Sequence, residues 1–539
     1  MKSKILALAG CALLCALPLP AAVWTVTILN PDGAAGSLRA AVGASGPGDT
    51  IVFAGPLNGT ILLVAPIPIG NAISILGPGP AKIAVSGNFA SRVFETSANP
   101  VLIAGITIRD GLQVGANGAD GTQGQDGQQG SDASGGGIYN TGTLLLSNCW
   151  LTANVARGGT GGRGGGNPPG FPVAPPGRGG MGGSAYGGAV YSMGTVRAIN
   201  CTFSGNNAIG GVGGAGGDNL EPAAPYSGGT GGQGGIAQFG GISGGLTLTN
   251  CTFSANLAQG GLGGSGGNTL APFPGGSGGG GGDAECAAAA VSSSSFTYII
   301  SCTVVYNSAV GGAGGTGGSG SPAGNSGNDG TGKTGGICSY LPGACDPNMG
   351  NTIAAENFAS TMYMNLHIHI TDLGFNYLGD DVDPGSCITS LSRMGTVMTP
   401  LHPQLKPLAQ NGGGAPTHAP MQGSPVIDWG HSLGTTTDER RAPRPYGAPA
   451  GGSGGDGSDV GAFEFGSTPL GMGTGGGGGG GVVVSWPACY GDFTLQSTTD
   501  PTVPSNWHDV TDTPTVAGDY FTLALPVTNR AELFRLINH

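Results

Sequence analysis

The heptapeptide GDDVDPG is the stretch of this chain best suited to bind a metal ion. It holds three carboxylates, those of Asp380, Asp381 and Asp383. Calcium prefers oxygen ligands, and an EF-type loop supplies about six to eight of them at fixed positions. The stretch lacks the remaining ligands of such a loop. We therefore expect no cofactor, with Ca²⁺ bound at these three aspartates as the alternative.

A second candidate is the segment His367-Ile-His369, which Asp372 follows closely. Alternate residues of a strand share one face, so both rings would point the same way. Two histidines and a carboxylate can hold zinc, but a surface pair is the commoner arrangement. No Ser/His/Asp order, phosphate-binding loop or CxxC motif accompanies it.

Cysteine marks the strongest pattern in the sequence, a short phrase written four times. It reads SNCWLTAN, INCTFSGN, TNCTFSAN and ISCTVVYN. The cysteines are 52, 50 and 51 residues apart, at Cys149, Cys201, Cys251 and Cys302. Such an internal repeat indicates a solenoid or a related array.

Each phrase runs into a glycine-rich insert. Removing inserts 158–183, 210–235 and 260–282 leaves repeats of 26, 24 and 28 residues. The remainder is rich in Thr, Val, Leu, Ile and Phe between Gly and Asn, which predicts short strands and turns. Short strands that recur once per coil can bury their apolar faces against neighbouring coils. We therefore predict an all-β fold, a right-handed parallel β-helix with glycine-rich hairpins leaving one corner.

Stacked coils place equivalent residues above one another at about 4.8 Å. The four cysteines of the phrase would then form a ladder of small buried side chains, which favours a structural role over redox or metal chemistry. Asn148, Asn200 and Asn250 would form a second ladder that stabilises the turn.

Residues 118–132 keep glycine at every third place and begin the series of hairpins. Three residues per turn is the polyproline II geometry. Five hairpins from one corner could form an ordered polyglycine II bundle. The alternative is a set of flexible linkers, because glycine-rich chains normally behave as random coils.

Charge and composition narrow the class of protein. The net charge is −12 and only 9% of residues are charged, with no basic patch, so nucleic acid is not an expected partner. Residues 1–22 have a basic start, an apolar centre and small residues at the end, which predicts a secretory signal peptide. No later stretch is long and apolar enough to predict a transmembrane segment.

The predicted mature chain keeps nine cysteines, an odd number, so at least one thiol is free. Cys338 and Cys345 flank a Pro-Gly turn in ICSYLPGAC and are the expected disulfide.

Two segments resemble known bacterial proteins. GSLRAAV followed by GDTIVFA resembles the N-terminal cap of right-handed parallel β-helix surface proteins, including the polymorphic outer-membrane-protein type, although Ala40 stands where Glu or Gln is usual. NGGGAPTHA, GSPVIDWG, TTTDERRAPR and DVGAFEFG resemble the C-terminal region of choice-of-anchor surface proteins. The resemblance implies an extracellular, cell-surface or outer-membrane location.

The sequence divides into a signal peptide (1–22), a β-helix (23–379), a choice-of-anchor-like end region (380–466), a glycine linker (467–481) and a β-sandwich (482–539). We expect Asp428, Asp438, Arg440 and Arg444 to form a charge network that closes the last turn of the solenoid.

Function is the least determined property. Arg109 beside Asp110 and the isolated Arg197 do not form a cluster of carboxylates with a base, which calcium-dependent pectate-lyase-like enzymes need. The sequence favours a non-catalytic structural or adhesive protein that meets an extracellular polysaccharide or protein. The alternatives are a polysaccharide lyase or glycosidase and a glycan-binding protein.

Overall fold

Short parallel strands recur in the same order along most of the chain and coil it into a β-helix. The computed structural model describes residues 21–97, 100–170, 174–222, 224–270, 272–291, 297–339, 347–361, 364–380, 388–447, 454–466, 470–474, 481–487, 493–500, 504–517, 520–526 and 532–538. The predicted signal peptide lies outside these ranges except for its last two residues.

One coil contains four strands, a glycine-rich hairpin and a short return strand. In the middle of the solenoid these are Ile138–Asn140, Thr143–Ser147, Trp150–Thr152, Val155–Arg157 and, after the hairpin, Ala185–Tyr186. Each strand pairs in parallel with its counterpart in the next coil. We number the resulting sheets 1 to 5 in that order. The predicted parallel β-helix is confirmed.

The strand bounds follow this repeat. Sheet 1 contains Ile67–Ile69, Phe94–Thr96, Ile138–Asn140, Val190–Ser192, Ile242–Thr249, Ala289–Val291, Ile337–Ser339 and Leu366–His367. Sheet 2 contains Val23–Val26, Thr50–Phe53, Ser74–Leu76, Val101–Ala104, Thr143–Ser147, Thr195–Ile199, Ile242–Thr249, Tyr298–Ile300, Asn348–Gly350 and Thr371–Gly374. Sheet 3 contains Gly59–Leu62, Ile83–Ser86, Thr107–Arg109, Trp150–Thr152, Thr202–Ser204, Thr252–Ser254, Thr303–Val305, Ile353–Ala355, Tyr377–Leu378 and Arg393–Met394.

Two smaller sheets flank the hairpins. Sheet 4 contains Leu112–Val114, Val155–Arg157, Asn207–Ile209, Leu257–Gln259, Ser308–Val310 and Phe358–Ala359. Sheet 5 contains Ala133–Ser134, Ala185–Tyr186, Ala237–Gln238 and Ala284–Glu285. Where these two sheets face each other, the buried side chains are alanines. Such small side chains let the two sheets approach closely at the base of the hairpins.

The core is a set of ladders in which each coil covers the apolar face of the next. Phe203 and Phe253 are fully buried and stack in parallel, with ring centroids 4.7 Å apart. Burying such a side chain contributes roughly 1.5–3 kcal/mol. The adjacent coils carry buried Leu151 and Val304 at the equivalent positions, so each added coil buries further apolar surface.

The N-terminal helix is Leu38–Ala44, as GSLRAAV predicts. Ser37 caps it, because its hydroxyl accepts a 3.2 Å hydrogen bond from the amide of Ala40. Leu38 and Val42 are buried against the first coils. Within the described ranges, no helix has the length and apolarity needed to cross a bilayer.

The glycine-rich hairpins form an ordered bundle of two layers, outgoing strands in one and returning strands in the other. Within a layer, every third amide donates to the next coil, as from Gly161 to the carbonyl of Val212 at 2.8 Å. Between layers, the glycine that follows donates, as from Gly211 to Gly183 at 2.8 Å. This period of three is that of polyglycine II. The flexible-linker alternative does not hold for these strands.

The charge network of the end region does not close the last turn of the solenoid, which corrects our prediction. After the strand Arg393–Met394, which pairs with the last coil of sheet 3, the end region runs back along the outer face of that sheet. Thr202 donates to the carbonyl of Pro416 at 2.6 Å, and the amide of Ala462 donates to Thr303 at 2.9 Å. Outward hydroxyls in the middle of sheet 3, those of Thr202, Thr252, Ser254 and Thr303, supply polar partners, so the segment can lie on the face instead of the end.

The disulfide also differs from the prediction. Cys338 is bonded to Cys286, with Cα atoms 5.4 Å apart, and Cys345 lies outside the described residues. The two cysteines are 52 residues apart in sequence but lie on neighbouring coils. The two cysteines are not at equivalent positions of their coils, because Cys286 directly follows the return strand Ala284–Glu285 whereas Cys338 lies on sheet 1 in register with Ala290.

Two small antiparallel sheets follow the solenoid. One contains Gly471–Thr474, Gly481–Pro487, Thr515–Ala517 and Tyr520–Pro526, and the other contains Phe493–Thr498, His508–Asp509 and Leu533–Asn538. A 3₁₀ turn covers Pro504–Asn506. Their shared core contains Val484, Trp486, Leu495, Leu523 and Leu536.

Candidate functional site

Of the three predicted calcium residues, Asp380 is the one that lies in the described part of the chain. Asp380 accepts hydrogen bonds from the side-chain amide of Asn365, through its carboxylate and its carbonyl. Asp381 and Asp383 lie outside the described residues. No group of three or more His, Cys, Asp or Glu side chains arranged to hold a metal occurs within the described ranges.

Asp372 holds a turn together. Its carboxylate accepts hydrogen bonds from the side chains of Asn376 at 2.7 Å, Thr389 at 2.8 Å and Ser392 at 2.9 Å. His367 lies on sheet 1, where it is in register with Cys338. The Asp372 carboxylate is therefore not available to bind zinc together with the two histidines, because these donors already occupy both of its oxygens.

The four cysteines of the repeated phrase, Cys149, Cys201, Cys251 and Cys302, are buried and free. Burial raises the thiol pKa of Cys149, Cys201 and Cys251 well above the usual value. Only the thiolate reacts as a nucleophile or binds a metal. These thiols consequently have the properties of core side chains.

Asn148, Asn200 and Asn250 have positive φ angles of +49°, +54° and +49°. Asn tolerates this left-handed conformation better than most residues, which suits it to the corner between sheets 2 and 3. Asn250 donates to Asn200 at 3.2 Å and to the carbonyl of Thr437 at 2.8 Å. The corner therefore also holds the end region in place.

A second asparagine ladder was missed by the sequence analysis. It contains Asn154, Asn206, Asn256, Asn307, Asn357 and Asn365, all buried. Each side-chain amide donates to the next ladder oxygen at 2.8–2.9 Å. The signal was present, because each phrase ends in Asn five positions after its cysteine.

A cleft of ligand size lies on sheet 3, at its uncovered N-terminal end. Its volume is about 610 Å³. Four successive strands form the floor, and the end region supplies a wall at Gln410, Gly412 and Gly413. We call this the sheet-3 cleft. Pockets of roughly 300–1,000 Å³ typically hold small ligands.

Charged side chains in the sheet-3 cleft are two cations and one acid. The Arg109 guanidinium lies 3.3 Å from the carboxylate of Asp110 and donates to Thr60 at 3.1 Å. Asp110 also accepts a 2.9 Å hydrogen bond from Ser86. Lys82 is exposed at the rim. The cleft therefore carries a local excess of positive charge.

Trp150 is the aromatic side chain of the sheet-3 cleft. Its indole N–H donates to the Ser204 hydroxyl at 2.8 Å, and this bond holds the ring in one orientation. The ring is half-buried, so part of its surface is available to a ligand. Trp150 lies on the last floor strand before the end region covers sheet 3, because the next strand begins at Thr202, which bonds to that region.

A buried charge network anchors the end region beside the cleft. Arg440 pairs with Asp438 at 2.6 Å and Arg444 pairs with Glu464 at 2.8 Å. The expected network therefore exists for Asp438, Arg440 and Arg444, but it lies over sheet 3. Asp428 joins through its backbone, which donates to Asp459 at 2.8 Å.

Three acids of this network carry raised pKa values. Burial raises the pKa of Glu439 far above the usual value, against the hydrogen bonds from Thr252 and Thr202. Burial and repulsion from Glu464 raise the pKa of Asp459. Burial also raises the pKa of Glu464, against the attraction of Arg444.

The parallel strand pairing defines the chain as a parallel β-helix protein. Comparison with known proteins adds little to this assignment. No protein-family model and no curated protein matches it. Solved structures that resemble it include the nine-helix polyproline type II bundle antifreeze protein of the springtail Granisotoma rainieri. That match is 26% identical and covers 40% of this chain and 93% of the other, with a TM-score of 0.15.

A mannuronic acid specific polysaccharide family 6 lyase from the human gut microbiota also resembles the chain. It is 10% identical and covers 70% of this chain and 86% of the lyase, with a TM-score of 0.14. Similarities with TM-scores this low do not transfer a function from either protein. The function must be argued from the chain itself.

Proposed function

We propose that this chain is a secreted or cell-surface protein with a structural or adhesive role. In this proposal, the β-helix is a rigid shaft that displays the glycine bundle on one side. The observation that carries it is the way the bundle backbone is held. Gly214 donates to Gly180 at 2.8 Å, and its own carbonyl accepts from Gly232 at 2.8 Å. A backbone held on several sides displays its side chains at fixed positions.

The outer faces of the bundle form a regular grid. Every third residue points outward, and rows along a strand repeat at roughly 9 Å, three times the polyproline II rise of about 3.1 Å. On the outgoing layer, Val212 and Leu262 occupy neighbouring positions and are 40% and 49% exposed. Exposed apolar side chains on a flat, rigid surface favour contact with another extended surface.

Polar residues at the same outward positions hold the next coil. The Asp120 carboxylate accepts from the amide of Arg163 at 2.7 Å, and the Asp132 carboxylate accepts from the amide of Ser184 at 2.7 Å. These bonds satisfy amides that the glycine lattice leaves at the surface. Side chains on the faces therefore also stiffen the bundle, which a display platform requires.

The middle of sheet 3 supports the same proposal. Its outward hydroxyls bind the chain's own end region, as Ser254 does with the imidazole of His418 at 2.9 Å. Because the chain covers its own sheet 3 here, the middle coils form a closed shaft.

The competing proposal is a polysaccharide-active enzyme, for which Arg109 would be the natural centre of the active site. Among the described residues that line the cleft, Asp110 is the carboxylate beside Arg109. A calcium-dependent lyase needs a cluster of carboxylates.

Cell-surface display can be tested on cells that produce the full chain. An antibody against the glycine bundle should label intact cells, and protease added outside the cells should abolish that labelling. Protection until the cells are lysed would contradict a secreted or surface role.

Catalysis can be tested with the purified chain. We expect acidic and neutral polysaccharides to keep their chain length during long incubation with it. Shortened chains would replace our proposal with the enzyme alternative.

A further inference from the structure

We propose that the sheet-3 cleft binds an acidic polysaccharide, a chain of sugars that carry carboxylate groups. This inference rests on the proposed adhesive function and gives it a partner. Charge, aromatic surface and shape in the cleft all point to this one class of ligand.

The charge of the cleft is opposite to that of the protein. The whole chain carries a net charge of −12, so a polyanion is repelled from most of its surface. In the cleft, Lys82 and Arg109 outnumber Asp110. A carboxylated ligand therefore finds a net electrostatic attraction in this cleft.

Arg109 is held ready for a ligand. Its contacts with Asp110 at 3.3 Å and Thr60 at 3.1 Å fix the guanidinium, while 41% of the side chain stays exposed. A guanidinium has five N–H donors in a rigid fork, so further donors remain for a ligand carboxylate. Charge-assisted hydrogen bonds of this kind are roughly twice as strong as neutral ones.

Trp150 supplies the surface that distinguishes a sugar from a simple anion. Aromatic rings with one fixed polar edge offer an apolar face together with a defined orientation. The C–H faces of a sugar ring can pack on that face while the hydrogen bond to Ser204 keeps the indole in place.

The floor has the length for several sugar units. It crosses four strands, beginning with Gly59–Leu62 and ending with Trp150–Thr152, at a strand spacing of about 4.8 Å. This gives a floor of roughly 14 Å. A polymer can enter along it because the cleft opens where the end region stops.

The wall is already in position. A Cβ built on Gly414 would lie 2.6 Å from a ring carbon of Pro80, so the wall touches the floor closely. Gly413 approaches Arg440 of the buried network in the same way, with its virtual Cβ 3.1 Å away. The cleft is therefore formed before any ligand arrives, which lowers the entropic penalty of binding.

The test uses oligogalacturonate and its methyl ester as probes, because they share one backbone and differ in charge. Binding to the full mature chain is measured by calorimetry for the wild type and for the double variant Lys82→Gln/Arg109→Gln. Arg197→Gln is the matched control, since Arg197 is an exposed strand arginine on sheet 2.

We expect the acid form to bind the wild type and the Arg197→Gln variant alike, and the double variant at least about tenfold more weakly. The methyl ester should bind all three weakly, and added salt should weaken only the acid form. Trp150→Phe keeps an aromatic ring and should retain part of the affinity that Trp150→Ala loses.

Three outcomes would overturn this inference. They are equal affinity of the double variant, equal affinity of the methyl ester, and no binding of the acid form to the wild type. None of them bears on surface display, which the protease experiment on intact cells tests separately.

Discussion

The hydroxyl oxygen of Thr202 lies 2.7 Å from a carboxyl oxygen of Glu439, which lies 237 residues further along the chain. This contact joins the middle of the solenoid to the segment that returns over it. Thr252, one coil further along, binds the other oxygen of the same carboxylate. Glu439 therefore clamps two coils of sheet 3 from outside.

Stability should rise as the pH falls from neutral into the mildly acidic range. The pKa values of Glu439, Asp459 and Glu464 are raised in the folded chain, so folding favours their protonated forms. For a raised pKa, stability is fully present below the unfolded value, about 4.3 for Glu, and is lost as pH rises through the folded value. Melting temperatures measured across this range check the direction.

The matched variant is Glu439→Gln, which keeps the hydrogen-bonding shape without a titrating group. Its melting temperature should depend less on pH than that of the wild type. Asp456, whose pKa is lowered to about 2, acts in the opposite direction only in stronger acid. A wild-type melting temperature that falls between neutral and mildly acidic pH would contradict the assignment.

Alanine at an interior glycine of the bundle should disrupt it. A Cβ on Gly211 would lie 2.0 Å from the carbonyl oxygen of Gly159, which is backbone and cannot move aside. We expect Gly211→Ala to lower the free energy of unfolding by about 1–3 kcal/mol, the usual range for overpacking. Hydrogen exchange of the hairpin amides should quicken around the substitution.

Gly280 offers the control within the same bundle. A Cβ there would lie 3.6 Å from the carbonyl oxygen of Asn328, an ordinary contact. Gly280→Ala should leave both stability and amide exchange close to the wild type. Equal effects of the two substitutions would show that the interior glycines are not packed as described.

Removing one member of the buried asparagine ladder should be strongly destabilising. Asn256 donates to Asn307 at 2.8 Å and to the carbonyl of Phe203 at 2.9 Å, and it accepts from Asn206. Asn256→Ala leaves several buried polar groups without partners, at about 1–3 kcal/mol each. Denaturant unfolding should show a loss of about 3 kcal/mol or more.

The exposed Asn325 on the last hairpin provides the comparison for this variant. Asn325→Ala removes the same atoms from the surface, so its unfolding midpoint should stay within error of the wild type. A comparable loss at both positions would mean that the ladder contributes no more than an exposed side chain.

The ladder thiols should be unreactive while the chain is folded. Cys149, Cys201 and Cys251 are fully buried and their raised pKa values keep them protonated near neutral pH. Mass spectrometry after treatment with an alkylating reagent should find these three unlabelled in native protein and labelled after denaturation. Labelling within minutes under native conditions would place them at a reactive surface.

Much of the fold follows from the sequence because the repeat is local. The strand at Trp150 and the turn at Asn148 are encoded within a few residues, by apolar alternation and by a residue that tolerates positive φ. The period of three within the glycine tracts is equally local, and it predicts polyglycine II strands once they lie side by side. The repeated phrase even contains Asn256, although its burial was not foreseen.

Tertiary structure alone decided the contacts that join distant segments. Thr202 meets Glu439, Cys338 meets Cys286 and Pro80 meets Gly414 because coils and the returning segment are stacked in space. A periodic pattern states what repeats, but it does not state on which face a non-repeating segment lies. Packing and the satisfaction of buried polar groups make that choice, and the sheet-3 cleft exists where this covering segment stops.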